Sequence, residues 1–189
     1  PWVASATYER QFPNTLRITI TERKVTAIVA LSSGPVAWYL GENNVWLEAD
    51  QLNVPEGKTT ATVALEKATS EGELLITDVP ATVSPVAGTT ATDAEIQAVM
   101  QYQSTFSSEL TSQIVSYSAS SVDAISVTLT NGVQVALGSP TQIADKEKVI
   151  LAMLKQFPGE LTYLNVRTPA SPTYRRVSTG NVQSGSGVS

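Results

Sequence analysis

The stretch AISVTLTNGVQVALG, residues 124 to 138, constrains the fold most strongly, because it specifies a β-hairpin together with its register. Apolar and polar residues alternate on both sides of Asn131-Gly132, which is the period of strands that bury one face. Asn-Gly also accepts the positive φ of a type I′ turn. The pattern therefore predicts that two apolar sets face each other, namely Ile125, Val127 and Leu129 against Val133, Val135 and Leu137.

Other segments carry weaker forms of the same signals. Strand-like alternation recurs in segments 16–20, 25–29, 36–40, 44–50, 60–65, 161–167 and 173–177. Apolar residues at helical spacing predict helices over 93–111 and 145–157. Because Pro169 and Pro172 lack N–H donors, residues 173–177 are expected at a sheet edge. The order of elements predicts an α+β fold with mainly antiparallel pairing.

The composition argues against several classes of site. The 189-residue chain has a formal net charge of −5 and no cluster of Lys and Arg beyond Arg175-Arg176, so a nucleic-acid partner is not expected. It contains neither Cys nor His, which are common metal ligands and common catalytic groups. We therefore expect no catalytic residues, no metal and no cofactor.

The first residues carry a recognisable pattern. The stretch PWVASATYERQFPNTLRITITERKVTA resembles the second half of the POTRA domain of the bacterial cell-division proteins FtsQ/DivIB. Its signature positions are Arg10, Pro13, Glu22 and Arg23. The family often has a proline two residues after the second arginine, where this chain has Val25.

A second match lies further along the chain. The hairpin ISVTLTNGVQVALG, a helix that opens at Lys146, and the segment YLNVRTPASPTYR are similar to the β domain of the same family. The family has an acidic residue where this chain has Asn165, so the resemblance does not extend to that carboxylate. The stretch 53–91 has no specific match.

The resemblance implies a domain organisation. Residues 1–30 would be the remnant of a POTRA domain, its second half; 31–178 the β domain with two helices; and 179–189 a flexible tail. Family members have a cytoplasmic tail and one membrane helix before a complete POTRA domain, all expected upstream of this chain. The protein would then be a single-pass protein of the cell membrane, with this part extracytoplasmic.

The resemblance also implies a function in septation. In the family, the last strands of the β domain are where the small partner FtsB, paired with FtsL, docks. A terminal strand exposes main-chain groups that template an incoming strand, and Tyr and Arg are favoured anchors. The chain is therefore expected to be a non-enzymatic divisome scaffold whose partner-binding residues are Tyr163, Arg167, Thr168, Pro169, Tyr174, Arg175 and Arg176. Alternatively, the prolines and charges only protect this edge from aggregation.

Other functions stay open at this point. One is a POTRA-type module of a secretion or outer-membrane assembly protein. Another is a cell-wall glycan hydrolase, which needs two carboxyl groups at a fixed separation, and for which the sequence offers Glu48, Asp50, Glu71, Glu73 and Asp78. The three tryptophans, Trp2, Trp38 and Trp46, fit either a sugar-stacking platform or core packing.

Overall fold

The computed structural model describes residues 1–177, and these divide into two compact units, one of Pro1–Gln97 and one that begins at Ala98. The first unit opens with an isolated hairpin of β1 (Val3–Gln11) and β2 (Thr15–Glu22), both exposed along their whole length. The register pairs Tyr8 with Ile18 and Ala6 with Ile20, which puts the apolar side chains on one face. Ile18 and Ile20 are more than half exposed, so nothing in the described chain covers that face.

The rest of the first unit is a sheet that carries one helix. β3 (Val25–Leu31) pairs antiparallel with β4 (Val36–Gly41) and parallel with β6 (Leu74–Val79), while β5 (Val45–Gln51) pairs antiparallel with β4. Helix α1 (Thr60–Glu71) precedes β6 in the chain and packs on β3 and β6. The buried core between this helix and the sheet consists of Ile28, Ala30, Ala37, Leu52, Ala64, Ala68 and Leu75, of which Leu52 directly follows β5.

Helix α1 corrects the strand predicted at 60–65. The threonines of this segment favour strands by their branched side chains, but the local context stabilises a helix. The Thr59 side chain accepts a hydrogen bond from the backbone N–H of Thr62, and Gly72 ends the helix in the left-handed conformation. Ala64 and Ala68, one turn apart, form the buried stripe against the sheet.

The second unit contains the hairpin predicted around Asn131-Gly132. Helix α2 (Ala94–Thr105) runs into this unit and is followed by α3 (Ser108–Thr111), β7 (Ile114–Ser118), β8 (Ser126–Leu129) and β9 (Gln134–Ala136). Val127 lies opposite Val135 and the Leu129 N–H donates to the Val133 carbonyl, so the predicted register is confirmed.

The turn of this hairpin differs from the prediction. Gly132 has φ +81°, but Asn131 is absent from the residues with positive φ, so the turn is not type I′. The Gly132 N–H donates to the Leu129 carbonyl, as in a three-residue loop whose glycine is left-handed. The Asn131 side chain instead accepts from the Val133 N–H at 3.1 Å.

The chain then crosses over and ends at a sheet edge. Helix α4 (Ile143–Gln156) connects β9 to the parallel strand β10 (Leu161–Asn165), and β11 (Thr173–Arg176) pairs antiparallel with β10. The prediction that 173–177 lies at an edge is confirmed, because β11 is the terminal strand. The α+β class with mainly antiparallel pairing is also confirmed. The single helix predicted over 93–111 is instead two helices, α2 and α3, and α1 was not predicted as a helix. The predicted tail, 179–189, lies outside the described residues.

One buried residue was not predicted. Lys146, on α4, is 1% exposed, and its ammonium donates to the Tyr102 hydroxyl at 2.9 Å and to the Ser139 carbonyl at 2.6 Å. Burial lowers the pKa of Lys146 and raises that of Tyr102. These contacts tie α4 to α2 and to the loop that follows β9.

Candidate partner-binding edge

The main chain of β11 has one paired side and one open side. The Val166 N–H, directly after β10, donates to the carbonyl of Ala136 in β9. Because the main-chain groups of successive residues point to opposite sides of a strand, those of Tyr163 and Asn165 point toward β11. Their register partners, Arg175 and Thr173, therefore point back at β10. The groups of Tyr174 and Arg176 point outward, where no strand of the described chain pairs with them.

An aromatic stack lies on the α4 side of this edge. Tyr174 is 43% exposed and stacks on Phe157, with ring centroids 5.2 Å apart and planes at 27°. The Arg176 guanidinium lies 4.9 Å from the Phe157 centroid, and its Nη1 is 3.4 Å from Glu160 Oε2. Because this ion pair is about half exposed, it contributes little stability.

The opposite face of the edge carries a second cation–aromatic pair. Tyr163 and Arg175 are cross-strand partners, and the guanidinium lies 4.8 Å from the ring centroid. The Thr162 hydroxyl donates to the Arg175 carbonyl at 3.3 Å, which agrees with that carbonyl pointing at β10. Both faces of β11 thus present an aromatic ring and a guanidinium, the side chains that binding hot spots favour.

The other three predicted residues lie in the loop after β10. The Arg167 side chain packs so closely on Gly138 that a Cβ built there would meet Arg167 Cγ at 2.9 Å. Thr168 is exposed, whereas Pro169 is buried and offers little surface to a partner. The structure therefore brings together Tyr163, Tyr174, Arg175 and Arg176, and leaves these three outside the edge strand.

Asn165 performs the local task that an aspartate would. Its side-chain oxygen accepts a hydrogen bond from the Arg167 N–H at 3.1 Å, closing a turn directly after β10. A carboxylate oxygen accepts the same bond, so the structural part of the role survives without the charge.

Sequence reasoning missed Phe157 and Glu160 as members of this site. Phe157 ends the apolar series that predicts the helix over 145–157, but the residue is only half-buried and its ring faces Tyr174. The segment Pro158-Gly159 after the helix was the available signal, because it turns the chain directly into β10.

Strand β5 differs from β11 in having its outer side partly covered. The Trp46 N–H donates to the Thr89 carbonyl at 2.9 Å, and the Gly88 N–H donates to the Trp46 carbonyl at 2.7 Å. The Ala91 N–H adds a bond of 2.7 Å to the Asn44 carbonyl. The chain's own segment 88–91 thus occupies groups that would otherwise accept a visiting strand.

The POTRA signature residues lie at two ends of the first hairpin. Arg10 lies over the Phe12 ring at 5.4 Å, near the turn that contains Pro13. At the other end, Glu22 closes β2, and the Arg23 guanidinium donates to the carbonyls of Pro1 and Glu42.

The tryptophans do not form one platform. Trp46 is 2% exposed and packs edge-on against Trp38 with centroids 6.1 Å apart, whereas Trp2 lies 6.0 Å from Tyr39.

Within residues 1–177 no three acidic, His or Cys side chains are grouped to hold a metal ion. Nor does any helix in that range have the length and apolar character needed to span a bilayer.

Comparison with known families agrees with this arrangement. The family model for the FtsQ-type POTRA domain matches residues 1–23, and the model for the C-terminal part of cell division protein FtsQ/DivIB matches residues 61–167, more than half of the chain. The chain belongs to the FtsQ/DivIB family. The second match ends just beyond β10, so β11 lies outside it.

Three curated proteins that the chain resembles are mycobacterial. The chain is 29% identical over 176 residues to cell division protein FtsQ of Mycobacterium bovis (strain ATCC BAA-935 / AF2122/97). The same identity holds for cell division protein FtsQ of Mycobacterium tuberculosis, strains CDC 1551 and H37Rv. The match covers 92% of this chain and 46% of each relative, so the chain spans about half the length of the curated relatives it matches.

Proposed function

We propose that this chain is a non-enzymatic divisome scaffold that captures an FtsB/FtsL-like coiled-coil pair by strand addition at β11. The observation that carries the proposal is the outward direction of the Tyr174 and Arg176 main-chain groups on a terminal strand of the described chain. An incoming strand supplies the missing hydrogen-bond partners, and the flanking side chains supply its anchors. Capture at this edge helps to assemble the septal cell-wall machinery.

The first hairpin fits the proposed organisation of a longer protein. Its apolar face, with Leu16, Ile18 and Ile20 each more than half exposed, is what a partial domain leaves uncovered. In our proposal, residues 1–30 are the second half of a POTRA domain and 31–178 form the β domain. An upstream helix anchors the protein in the cell membrane and leaves this part extracytoplasmic.

The test is a titration with the FtsB-like and FtsL-like proteins of the same organism, purified as a pair. We expect Tyr174→Ala and Arg176→Glu each to weaken binding about tenfold, the loss typical of an interface anchor. Because both side chains are about half exposed, the thermal midpoint should stay nearly unchanged.

Matched controls come from the first hairpin. Tyr8→Ala and Arg17→Glu make the same chemical changes at exposed positions far from β11 in the sequence. Equal affinity of the β11 variants and the wild type would remove the edge from the binding site.

A further inference from the structure

Phe157 occupies a central place among the anchors on the α4 side of β11. Tyr174 stacks on its ring with centroids 5.2 Å apart, and the Arg176 guanidinium lies 4.9 Å from its centroid. The Arg176 Nη1 also forms an ion pair with Glu160 Oε2 at 3.4 Å. One half-buried ring therefore contacts both side chains that the docking proposal uses on this face.

This arrangement bears on the entropy of binding. Exposed tyrosine and arginine side chains populate several rotamers, and an interface must fix them at a cost in free energy. A ring held at the end of a helix restricts both side chains before a partner arrives. The helix itself is fixed at its other end by buried Lys146, so Phe157 has a firm base.

We propose that Phe157 is a positioning residue, which holds Tyr174 and Arg176 in their binding rotamers, an inference that rests on docking at β11. The ring need not contact the partner, because it acts through the two side chains stacked on it. Its effect should therefore vanish when those two side chains are removed.

A double-mutant cycle with the coiled-coil pair as ligand tests this role. We expect Phe157→Ala to weaken binding about two- to tenfold, the range that an aromatic stack supports. Phe157→Tyr keeps the ring and should bind as the wild type does. In a Tyr174→Ala/Arg176→Ala background, Phe157→Ala should cause no further loss, whereas a residue that merely supports the fold would weaken both backgrounds equally.

The outcomes separate the two proposals. Unchanged affinity of Tyr174→Ala would overturn docking at this edge, and with it the role of Phe157. Weakened binding by Tyr174→Ala beside unchanged binding by Phe157→Ala would overturn the role of Phe157 alone. If the alanine variant is unstable, Phe157→Leu replaces it, because leucine keeps the apolar volume but has no aromatic face for stacking. Binding of Phe157→Leu equal to that of the wild type would likewise overturn the role of Phe157.

A separate set of contacts concerns the base of the first hairpin. The Trp2 indole Nε1 donates to Glu48 Oε2 at 2.9 Å, and its ring lies 6.0 Å from Tyr39. The Arg23 side chain donates to the carbonyls of Pro1, at 3.0 Å, and Glu42, at 3.4 Å. Trp2 thus contacts β4 and β5, and Arg23 contacts the turn between these two strands.

Tyr39, whose ring packs near Trp2, is itself held by other side chains. The Tyr39 hydroxyl donates to Glu71 on α1 at 3.1 Å, and Lys67 forms ion pairs of 2.8 Å with Glu71 and with Asp50. Burial alone would lower the pKa of Lys67, but the hydrogen bonds that its ammonium donates to Asp50, Glu71 and Tyr39 outweigh burial and raise the pKa. These contacts hold Tyr39 in place against Trp2.

We infer that Trp2 and Arg23 form a latch that fixes the direction of the hairpin relative to the sheet of the first unit. Only Arg23 and Lys24 separate β2 from β3, so a hairpin without side contacts would pivot about this short link. The latch adds a second connection through a different strand. Its function is conformational and does not depend on partner binding.

Double electron–electron resonance tests the latch, because the chain has no cysteine to interfere with labelling. Spin labels at Thr19→Cys, on the hairpin, and Thr69→Cys, on α1, report the distance between the two parts. We expect a narrow distance distribution in the wild type and a clearly broader one in Trp2→Ala. Trp38→Phe is the control, because Trp38 packs on Trp46 and should leave the width unchanged. A broad wild-type distribution, or an unchanged width in Trp2→Ala, would overturn the latch.

Discussion

The buried Lys146 offers the most informative test of the core. Its ammonium donates to the Tyr102 hydroxyl and the Ser139 carbonyl, and within residues 1–177 no carboxylate forms an ion pair with it. Substituting Lys146→Met removes the charge while it keeps an unbranched chain of similar length. Lys146→Ala removes the chain as well.

The expected magnitudes follow from opposing contributions. Taking an ammonium out of water costs several kcal/mol, and two hydrogen bonds from a charged donor return about 3–6 kcal/mol. The Ser139 carbonyl keeps a partner in the methionine variant, because the Tyr102 hydroxyl also donates to it at 2.6 Å. We therefore expect Lys146→Met to change the free energy of unfolding by no more than about 1–2 kcal/mol. Lys146→Ala leaves a cavity and should lose about 2–5 kcal/mol.

The pH dependence of the free energy of unfolding independently tests whether burial disfavours the charged form of Lys146. Burial lowers the pKa of folded Lys146, so between that pKa and the ordinary lysine value the unfolded chain binds the extra proton. Stability due to this group therefore rises with pH across that interval. Burial raises the pKa values of Tyr102 and Tyr117, so the stability due to these two groups falls as pH rises above the ordinary tyrosine pKa, and the Lys146 comparison is made below that pH.

Urea unfolding of the wild type and both variants from neutral to alkaline pH measures these effects. The stability of the wild type relative to Lys146→Met should increase with pH. The reasoning is refuted if Lys146→Met loses as much stability as Lys146→Ala and the difference from wild type does not depend on pH.

Four further substitutions test the local geometry. Gly138→Ala should destabilise the chain by more than about 1 kcal/mol in thermal unfolding, because Gly138 has φ +69° and its new Cβ would displace Arg167; an unchanged midpoint would contradict this. Arg175→Pro removes an inward N–H and should lower the midpoint, whereas Arg176→Pro removes an outward one and should leave it nearly unchanged; equal effects would refute the assigned directions. Thr59→Ala should cost about 1 kcal/mol by loss of the helix cap, and no loss would deny that the cap matters.

Local patterns were sufficient for some parts of this fold. The register of β8 and β9 follows from alternation, because a shift by one residue would turn Val127 and Val135 out of the core. The edge position of β11 follows from Pro169 and Pro172, which cannot join a central strand. In both cases the residues that decide the structure lie within the segment or directly before it.

Other parts carry conflicting local signals or depend on partners distant in the sequence. Helix α1 was mistaken for a strand because its threonines outweighed the cap at Thr59 and the glycine at position 72. Nothing near Lys146 indicates burial, since the Tyr102 hydroxyl that accepts its hydrogen bond comes from another helix. Likewise, Phe157 reads as a core residue until β11 brings Tyr174 against its ring.

Hydrogen exchange at single amides tests the central proposal most directly. In the free chain, we expect the outward amides of Tyr174 and Arg176 to exchange fast and the inward amide of Arg175 to exchange slowly. Addition of the FtsB/FtsL-like pair should slow the first two strongly and change the third little. Binding of the pair with Tyr174 and Arg176 still exchanging fast would contradict strand addition at β11.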